Sequence, residues 1–547
     1  MTGRALLPTW SEWKPAFRAP GTDLLSGLVV ALVALPLALG FGISSGLGAA
    51  AGLATAVIAG ALAAVFGGSR FQVSGPTGAM TVVLVPIVAE HGTSGVLTVG
   101  LMAGVLLVVL AFAGVGRAVR FMPAPVIEGF TAGIAVVIAL QQFPGALGVS
   151  GAEGEKVWQS AFGAVREFAD DPQATAPVTA LVVAVVILIG GRYLPKLPFA
   201  LVAVLVATVV ASIFDLPLAR IGTIPAGLPA PSLGFLRLDD LTSLLLPALA
   251  VAALAALESL LSATAADAMA VGTSHNPDRE LFGQGLANIA APLFGGVPAT
   301  GAIARTAVNV RSGARTRLAA LTHAVILAGI VYLAAGLVAD IPIAALAGVL
   351  LATTVRMVEA ASLAAIARAS RGDAIVMAVT FVVTVALDLV TAVVIGIGFA
   401  LVLAVRAIAR EANLRQVPLD ETDHLGEEHE LLRDHIVAYR IDGPLFFAAA
   451  HRFLLELADV ADVKVVILRM SRVTALDTTG ARVLEDAITK LQHRHITVLM
   501  SGLREDHRQR LAAMSALPAG GDDAVFPDTG AAITYARRFL PATRRTH

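Results

Sequence analysis

The 547-residue sequence predicts a polytopic α-helical membrane protein of fourteen spans, arranged as two inverted repeats of seven, followed by a small cytoplasmic α/β domain. Three observations predict it. The chain is 57% hydrophobic and 14% charged with a mean hydropathy of +0.81, whereas about a quarter of a soluble protein is charged. Apolar runs fill residues 24–408 and stop abruptly near Arg410. One glycine-rich phrase occurs twice, as FGGSRFQVSGPTGAM at 66–80 and FGGVPATGAIART at 294–306.

Composition also excludes several classes. A formal net charge of −1 gives no basic excess for a nucleic-acid partner. With 0 cysteines there are no disulfides, thiolate nucleophiles or cysteine-held metals. No nucleophile–base pair or metal-ligating cluster stands out, so no enzyme, cofactor or metal is expected. Residues 1–23 lack the compact form of a cleaved signal and are read as a cytoplasmic segment. In it Trp10 and Trp13 suit the membrane interface.

The membrane domain is read as 24–410, with segments at 24–42, 48–66, 77–90, 95–115, 125–143, 177–190, 198–214, 243–266, 281–293, 300–309, 318–337, 341–355, 373–388 and 390–408. A helix needs about 20 residues to cross a bilayer core, so the third and tenth segments are short. Both begin at a Thr-Gly-Ala. With the N-terminus inside, loops after even-numbered segments are basic: Arg117 and Arg120; Arg192 and Lys196; Arg311, Arg315 and Arg317; Arg356, Arg368 and Arg371; Arg406 and Arg410. Odd-numbered loops are neutral or acidic, as with Glu153, Glu155, Glu167, Asp170 and Asp171 against Lys156 and Arg166. Asp215, Asp239 and Asp240 likewise stand against Arg220 and Arg237. This alternation places both termini in the cytoplasm of a plasma- or inner-membrane protein.

The third and tenth segments are seven apart. Seven is odd, so equivalent elements run in opposite directions, as in inverted-repeat transporters whose broken helices meet near the midplane. Gly75-Pro76 and Gly295-Gly296 with Pro298 break the chain, so helices are expected to start at Thr77 and Thr300. Their N–H groups would face each other across one anion, with Gly78, Ala79, Gly301 and Ala302 keeping the backbone open. The alternative is tight helix packing by small residues, and the duplication favours the substrate site. Arg305 lies inside the second short helix, where a charge is costly and usually functional. It would face the anion or pair with a carboxylate, and Glu258, mid-span in LAVAALAALESLLSATAADAMA, is the candidate partner and proton carrier. His91, His275 and His323 are read as solvated or interfacial, and Asp340 and Asp388 as helix ends facing water.

These residues resemble the SulP anion transporters, also called solute carrier family 26. ALPLALGFGISSGLGAAAGLATAVIAGALAAVFGGSRFQVSGPTGAM is similar to the family's opening signature, and ATGAIARTAVNVRSGARTRLAAL to its tenth span. The resemblance implies that Phe41 lines the anion site, that Thr77, Gly78 and Ala79 are the third-span N-terminus, and that Ile303, Ala304 and Arg305 are the tenth-span positions of the site. It implies that Glu258 takes the eighth-span acidic position linked to coupling ions. It also implies a core of spans 1–4 and 8–11, a gate of spans 5–7 and 12–14, elevator-like movement of the core, and a homodimer. Where many members have Gln after the first-span Pro, this chain has Leu37.

Residues 411–430 are read as a linker and 431–547 as the α/β domain. IVAYRIDGPLFF (436–447) reads as strand, turn and strand; VKVVILRM (463–470) and HITVLMSG (495–502) read as buried strands flanking the helical TTGARVLEDAITKLQHR. With VTALDTTGARVL the domain resembles a STAS module, whose Asp-Ser-Ser-Gly is here Asp477-Thr478-Thr479-Gly480. Thr479 is then a candidate phosphorylation site or, more simply, a helix N-cap. LREDHRQRL reads as a solvated helix face.

The resulting expectation is secondary active symport of a small anion across the lipid bilayer, with protons favoured over sodium. A C4-dicarboxylate such as fumarate is suggested by apolar Leu37 and Phe41. A sulfate or bicarbonate transporter, a nucleobase permease, an anion channel and a membrane-anchored sensor remain as alternatives.

Overall fold

The computed structural model describes residues 6–18, 20–117, 123–149, 157–193, 198–270, 274–387, 389–411, 413–417, 435–445 and 463–539. Arg120, Glu153, Glu155, Lys156, Lys196, Asp388, the linker stretch 418–430 and the expected second strand at 446–447 lie outside them. The chain divides into two compact units, Met1–Ile397 and Gly398–His547.

The first unit is helical. In order come α1 (Trp10–Arg18), α2 (Pro20–Ser44), α3 (Ala49–Phe66), β1 (Ser74–Gly75), α4 (Gly78–Phe112), α5 (Ala124–Gln141), α6 (Phe143–Leu147), α7 (Val157–Asp170), α8 (Thr175–Tyr193) and α9 (Phe199–Ile213). Then follow α10 (Leu245–Met269), α11 (Pro277–Leu293), β2 (Thr300–Gly301), α12 (Ile303–Arg311), α13 (Leu318–Leu333), α14 (Ala335–Ala339), α15 (Ile343–Met357), α16 (Ala360–Ala369), α17 (Arg371–Ala386) and α18 (Leu389–Glu411). Among the described residues, 7 helices are long and apolar enough to cross a membrane by length and composition.

The third and fourth expected segments are the two helical parts of α4, which meet at Gly92, whose φ of 65° and ψ of −170° are not helical. Helix α7 replaces an expected acidic loop. Its Ala161 and Ala164 are buried, while Trp158, Phe162 and Val165 form an exposed apolar row at helical spacing.

Packing falls into two groups. Helix α11 packs against α3 and α4, α13 against α2 and α3, and α10 against α4 and α12. In the second, α17 packs against α5, and α15 against α5, α8 and α9, while α15 and α9 on α2 and α5 on α4 join the two groups. One apolar cluster runs through α4, α5 and α10 (Leu107, Ile134, Leu254) and another through α2, α13 and α15 (Leu39, Leu327, Leu350). Burial between membrane helices gains no water-transfer term over lipid exposure, because acyl tails are as apolar as leucine, so close van der Waals packing is what these clusters add.

The second unit holds a sheet of strands β3 (Asn413–Val417), β4 (Ile436–Leu445), β5 (Val465–Arg469), β6 (Val473–Leu476), β7 (Thr497–Ser501) and β8 (Val525–Phe526). The order is β3-β4-β5-β7-β8, with β6 paired to β4. Only the β3–β4 pair is antiparallel. Part of the expected linker thus forms an edge strand. The expected strand and turn from residue 436 are one continuous strand, because the chain passes Gly443 with a register shift rather than a reversal. Helices α19 (Thr478–His493) and α20 (Glu505–Ala513) cover one face through Leu484, Leu491 and Leu511, while α21 (Thr529–Ala536) covers the other through Ala532 and Ile533. α20 is solvated as expected, except that Leu511 and His507 are buried.

Candidate functional site: two broken helices joined by a strand pair

The duplicated phrases meet. β1 and β2 pair antiparallel, Ser74 with Gly301 and Gly75 with Thr300. Antiparallel pairing is what two copies of one motif running in opposite directions would produce. Helix α4 starts after Thr77, whose side chain caps it by accepting from the Met80 N–H at 3.4 Å.

The second copy differs from expectation. Thr300 does not start a helix; it lies in β2, and α12 begins at Ile303 after Ala302. The expected anion donors there are also occupied. The Gly301 N–H donates to Ser259 Oγ at 2.9 Å and the Ala302 N–H to the Val73 carbonyl at 2.9 Å. Ser259 of α10 and Val73 beside β1 thus take the Gly301 and Ala302 donors expected for the ligand. Among the described residues, the open N–H groups are one turn further on, at Ile303, Ala304 and Arg305, and at Gly78 and Ala79 on α4. Ile303 and Ala304 are exposed, while Ala79 is buried. Phe41 is buried and lies against Gly78, where a Cβ would come 3.1 Å from its ring.

Arg305 is 1% exposed. Its Nη2 donates to the Pro76 carbonyl at 2.6 Å, and its buried Nη1 has no hydrogen-bond partner. The expected direct Arg305–Glu258 pair is not formed. Instead Glu258 Oε2 accepts from Thr77 Oγ1 at 2.8 Å and from Thr300 Oγ1 at 2.5 Å, and the two threonine oxygens are 3.0 Å apart. Hydroxyls from both copies therefore hold the carboxylate away from the cation, which stays within its electrostatic reach.

A buried polar scaffold supports this geometry, and the sequence reading missed it. Glu280, Gln284 and Asn288 lie on one face of α11 at intervals of four residues. Glu280 accepts from the Gly68 and Ser69 N–H groups and from Gln72 Nε2 at 2.7 Å. Gln284 Nε2 donates to Ser74 Oγ at 2.6 Å. Asn288 both donates to the Ala299 carbonyl and accepts its N–H, at 2.9 and 2.8 Å. A polar stripe at i, i+4, i+8 in a membrane helix was the available signal.

Of the histidines, His323 is a correction: it is 0% exposed, because α13 turns this face onto α2 and α3. His275 Nδ1 lies 2.7 Å from Asp267, partly buried, and His91 stands near Glu90 at 3.7 Å. Asp340 is exposed and pairs with Arg220 at 3.0 Å. In the α/β domain, Asp477 rather than Thr479 is the N-cap of α19, accepting the Gly480 N–H at 2.7 Å. Thr479 sits exposed in the first turn.

Glu12 of α1 binds Arg279 Nη1 at 2.6 Å and lies 3.2 Å from Arg317 Nε. Burial raises the proton affinity of the Glu12 carboxyl, but the Arg279 hydrogen bond and the charges of Arg279 and Arg317 outweigh it and hold its pKa below the ordinary value.

Residues 21–380 match the Sulfate permease family and residues 432–529 the STAS domain. The chain is 36% identical over 501 residues to the putative sulfate transporter YvdB of Bacillus subtilis, covering 89% of this chain and 92% of that one. It is 31% identical over 525 residues to the bicarbonate transporter BicA of Picosynechococcus, covering 90% and 91%. The solved transmembrane domain of a cyanobacterial BicA superposes with a TM-score of 0.64 at 35% identity, covering 69% of this chain and 98% of that one. Murine Slc26a9 in its inward-facing state shares the fold at a TM-score of 0.85 and 16% identity, covering 98% and 94%. These relatives are transporters rather than enzymes, and the broken-helix site lies within the matched region. The chain belongs to the sulfate permease (SulP) family of anion transporters, with a helical membrane domain and a C-terminal STAS domain.

Proposed function

We propose that this protein is a secondary active transporter that carries a small inorganic oxyanion across the cell membrane together with a proton. Arg305 carries this reading: a buried guanidinium with Nη1 unpaired, at the start of a broken helix, and with its nearest carboxylate held by hydroxyls instead of by the cation. An unpaired buried charge is costly, and a bound anion offsets that cost. The N–H groups of Gly78, Ala79, Ile303 and Ala304 supply further donors without formal charge. Phe41 closes the site against Gly78.

Protons are favoured over sodium on geometric grounds. The oxygens of Glu258, Thr77 and Thr300 stand 2.5–3.0 Å apart, at hydrogen-bonding distances that leave no room for a cation among them. The relatives named for sulfate and bicarbonate support an inorganic oxyanion. Leu37 packs into the apolar core at 6% exposure, which weakens the case for a C4-dicarboxylate. Two groups, α2–α4 with α10–α13 and α5, α8, α9, α15 and α17, meet across the apolar clusters through α4–α5 and α2–α15, an arrangement that supports a core sliding against a gate. We place fourteen spans in a plasma or inner membrane, both termini in the cytoplasm, and a homodimer as the working unit. Thr479 remains a candidate regulatory phosphorylation site.

The test is uptake into proteoliposomes of the purified full chain, with labelled bicarbonate, sulfate and fumarate, with and without an inward proton gradient. Gradient-stimulated uptake of bicarbonate or sulfate is expected. Stimulation of fumarate alone would reassign the substrate, and no stimulation of any of the three would end the symporter reading.

A further inference from the structure

We propose that Thr77 and Thr300 form a hydroxyl relay that turns protonation of Glu258 into a hydrogen-bond donor for the transported anion. This rests on the symporter reading above and adds the atoms that would link its two ions. Three oxygens, Glu258 Oε2, Thr300 Oγ1 and Thr77 Oγ1, form a closed triangle with edges of 2.5, 2.8 and 3.0 Å. Each edge is short enough for a hydrogen bond, but with Glu258 ionised the triangle holds only the two hydroxyl protons.

In the ionised state both hydroxyls donate to Oε2, the only arrangement that gives a carboxylate oxygen the donors it needs. The Thr77–Thr300 edge then carries no proton. Thr77 already accepts from the Met80 N–H, so its remaining face presents lone pairs. A site that presents lone pairs and a carboxylate charge repels an anion.

One added proton on Oε2 changes the direction of the triangle. Oε2–H donates to Thr300 along the shortest edge, Thr300 donates to Thr77, and the Thr77 proton is left without an acceptor inside the triangle. Three protons now serve three oxygens, one pointing out, and one negative charge is gone. Exposure decides which hydroxyl turns outward. Thr300 is 0% exposed and can only pass the bond along, whereas Thr77 is 7% exposed at the open start of α4, beside the Gly78 and Ala79 N–H groups. On α12, packed against α10, Arg305 is the charged group facing Glu258; on α4 and β2 the facing groups are the two threonines. Proton and anion thus favour each other's binding, and by linkage the coupling is reciprocal.

The experiment measures apparent affinity for labelled sulfate, with labelled fumarate in parallel, at pH 5.5 and 7.5 in proteoliposomes of the full chain. Sulfate stays ionised across this range, so its own titration does not intrude. The readout is the ratio of acid to alkaline affinity. Thr77→Val should reduce that ratio by about tenfold, the worth of a hydrogen bond to a charged acceptor, and Thr77→Ser should restore it. Loss of the Thr77 cap alone would weaken affinity equally at both pH values. Thr300→Val should keep most of the ratio, because Oε2 reaches Thr77 directly at 2.8 Å. A Thr77→Val ratio equal to wild type would overturn the relay while leaving Glu258 as carrier. An unchanged ratio in Glu258→Gln would instead remove Glu258 from the coupling, and the relay with it. A substrate-free arm uses infrared spectroscopy. The protonated carboxyl band, assigned by its loss in Glu258→Gln, should shift in both Thr77→Val and Thr300→Val. A band indifferent to both substitutions would also overturn the relay.

Discussion

Arg305 of the second repeat lies over Gly75 of the first so closely that a Cβ on Gly75 would stand 2.6 Å from Arg305 Nη1. The glycine is what admits the guanidinium to the Pro76 carbonyl. Gly75→Ala should therefore displace the charge without removing it. We expect uptake to fall at least tenfold and stability to drop by about 1–3 kcal/mol from overpacking. Transport assays and thermal unfolding of the purified variant check both.

Arg305→Ala removes the same cation altogether. The expected cost is one charged hydrogen bond to the anion, about 1.5–3 kcal/mol, or roughly a 10- to 150-fold loss of affinity. Size-exclusion chromatography should show the variant still folded and in the wild-type oligomeric state. Unchanged affinity would place the site elsewhere.

Much of this was legible before the structure. Breaks at Gly75-Pro76 and Gly295-Gly296, the buried arginine and the STAS strands all follow from residue types whose backbone or charge leaves little choice. What was not legible was partner choice. Nothing in TGAIART says that Gly301 and Ala302 spend their N–H groups on Ser259 and Val73, or that Glu258 prefers two hydroxyls to a guanidinium. Those outcomes depend on which elements meet, and short strands of two residues leave no periodic trace. His323 was misjudged for the same reason: its place along a span says nothing about which face α13 buries.

Glu12 gives a pH prediction. Its folded pKa lies below the ordinary value, so the Arg279 and Arg317 contacts stabilise the fold fully above the unfolded pKa of 4.5. That contribution should fade as pH falls through the lower folded value. Glu12→Gln should be less stable than wild type at neutral pH by about 1–2 kcal/mol, since it loses the charged hydrogen bond to Arg279 at a partly exposed site. The difference should shrink in acid. Thermal unfolding across pH 3–7 measures it; a gap that stayed constant would mean Glu12 acts by packing alone.

The absence of cysteine makes topology directly measurable. Gln173 and Asp523 are exposed, one before α8 and one in the STAS domain. With both termini in the cytoplasm, Gln173→Cys should react with an impermeant maleimide added to whole cells, and Asp523→Cys only after permeabilisation. Labelling of Asp523→Cys from outside would invert the orientation that the basic loops imply.

Asn288 tests whether the polar stripe on α11 holds the site together. Its amide satisfies both the N–H and the carbonyl of Ala299, one residue before the strand that carries Thr300. Asn288→Leu keeps the branching at Cγ and removes both bonds, leaving two buried backbone groups unpaired at about 1–3 kcal/mol each. If Asn288 only stabilises the helix pair, stability falls while the pH dependence of uptake keeps its midpoint. If it positions β2, the Thr300–Glu258 contact loosens and the midpoint moves as well. We expect both changes, because Ala299 is fully buried and the strand that follows it is only two residues long. So short a pair depends on its anchors: Asn288 holds Ala299 on one side of Thr300 and Ser259 holds Gly301 on the other.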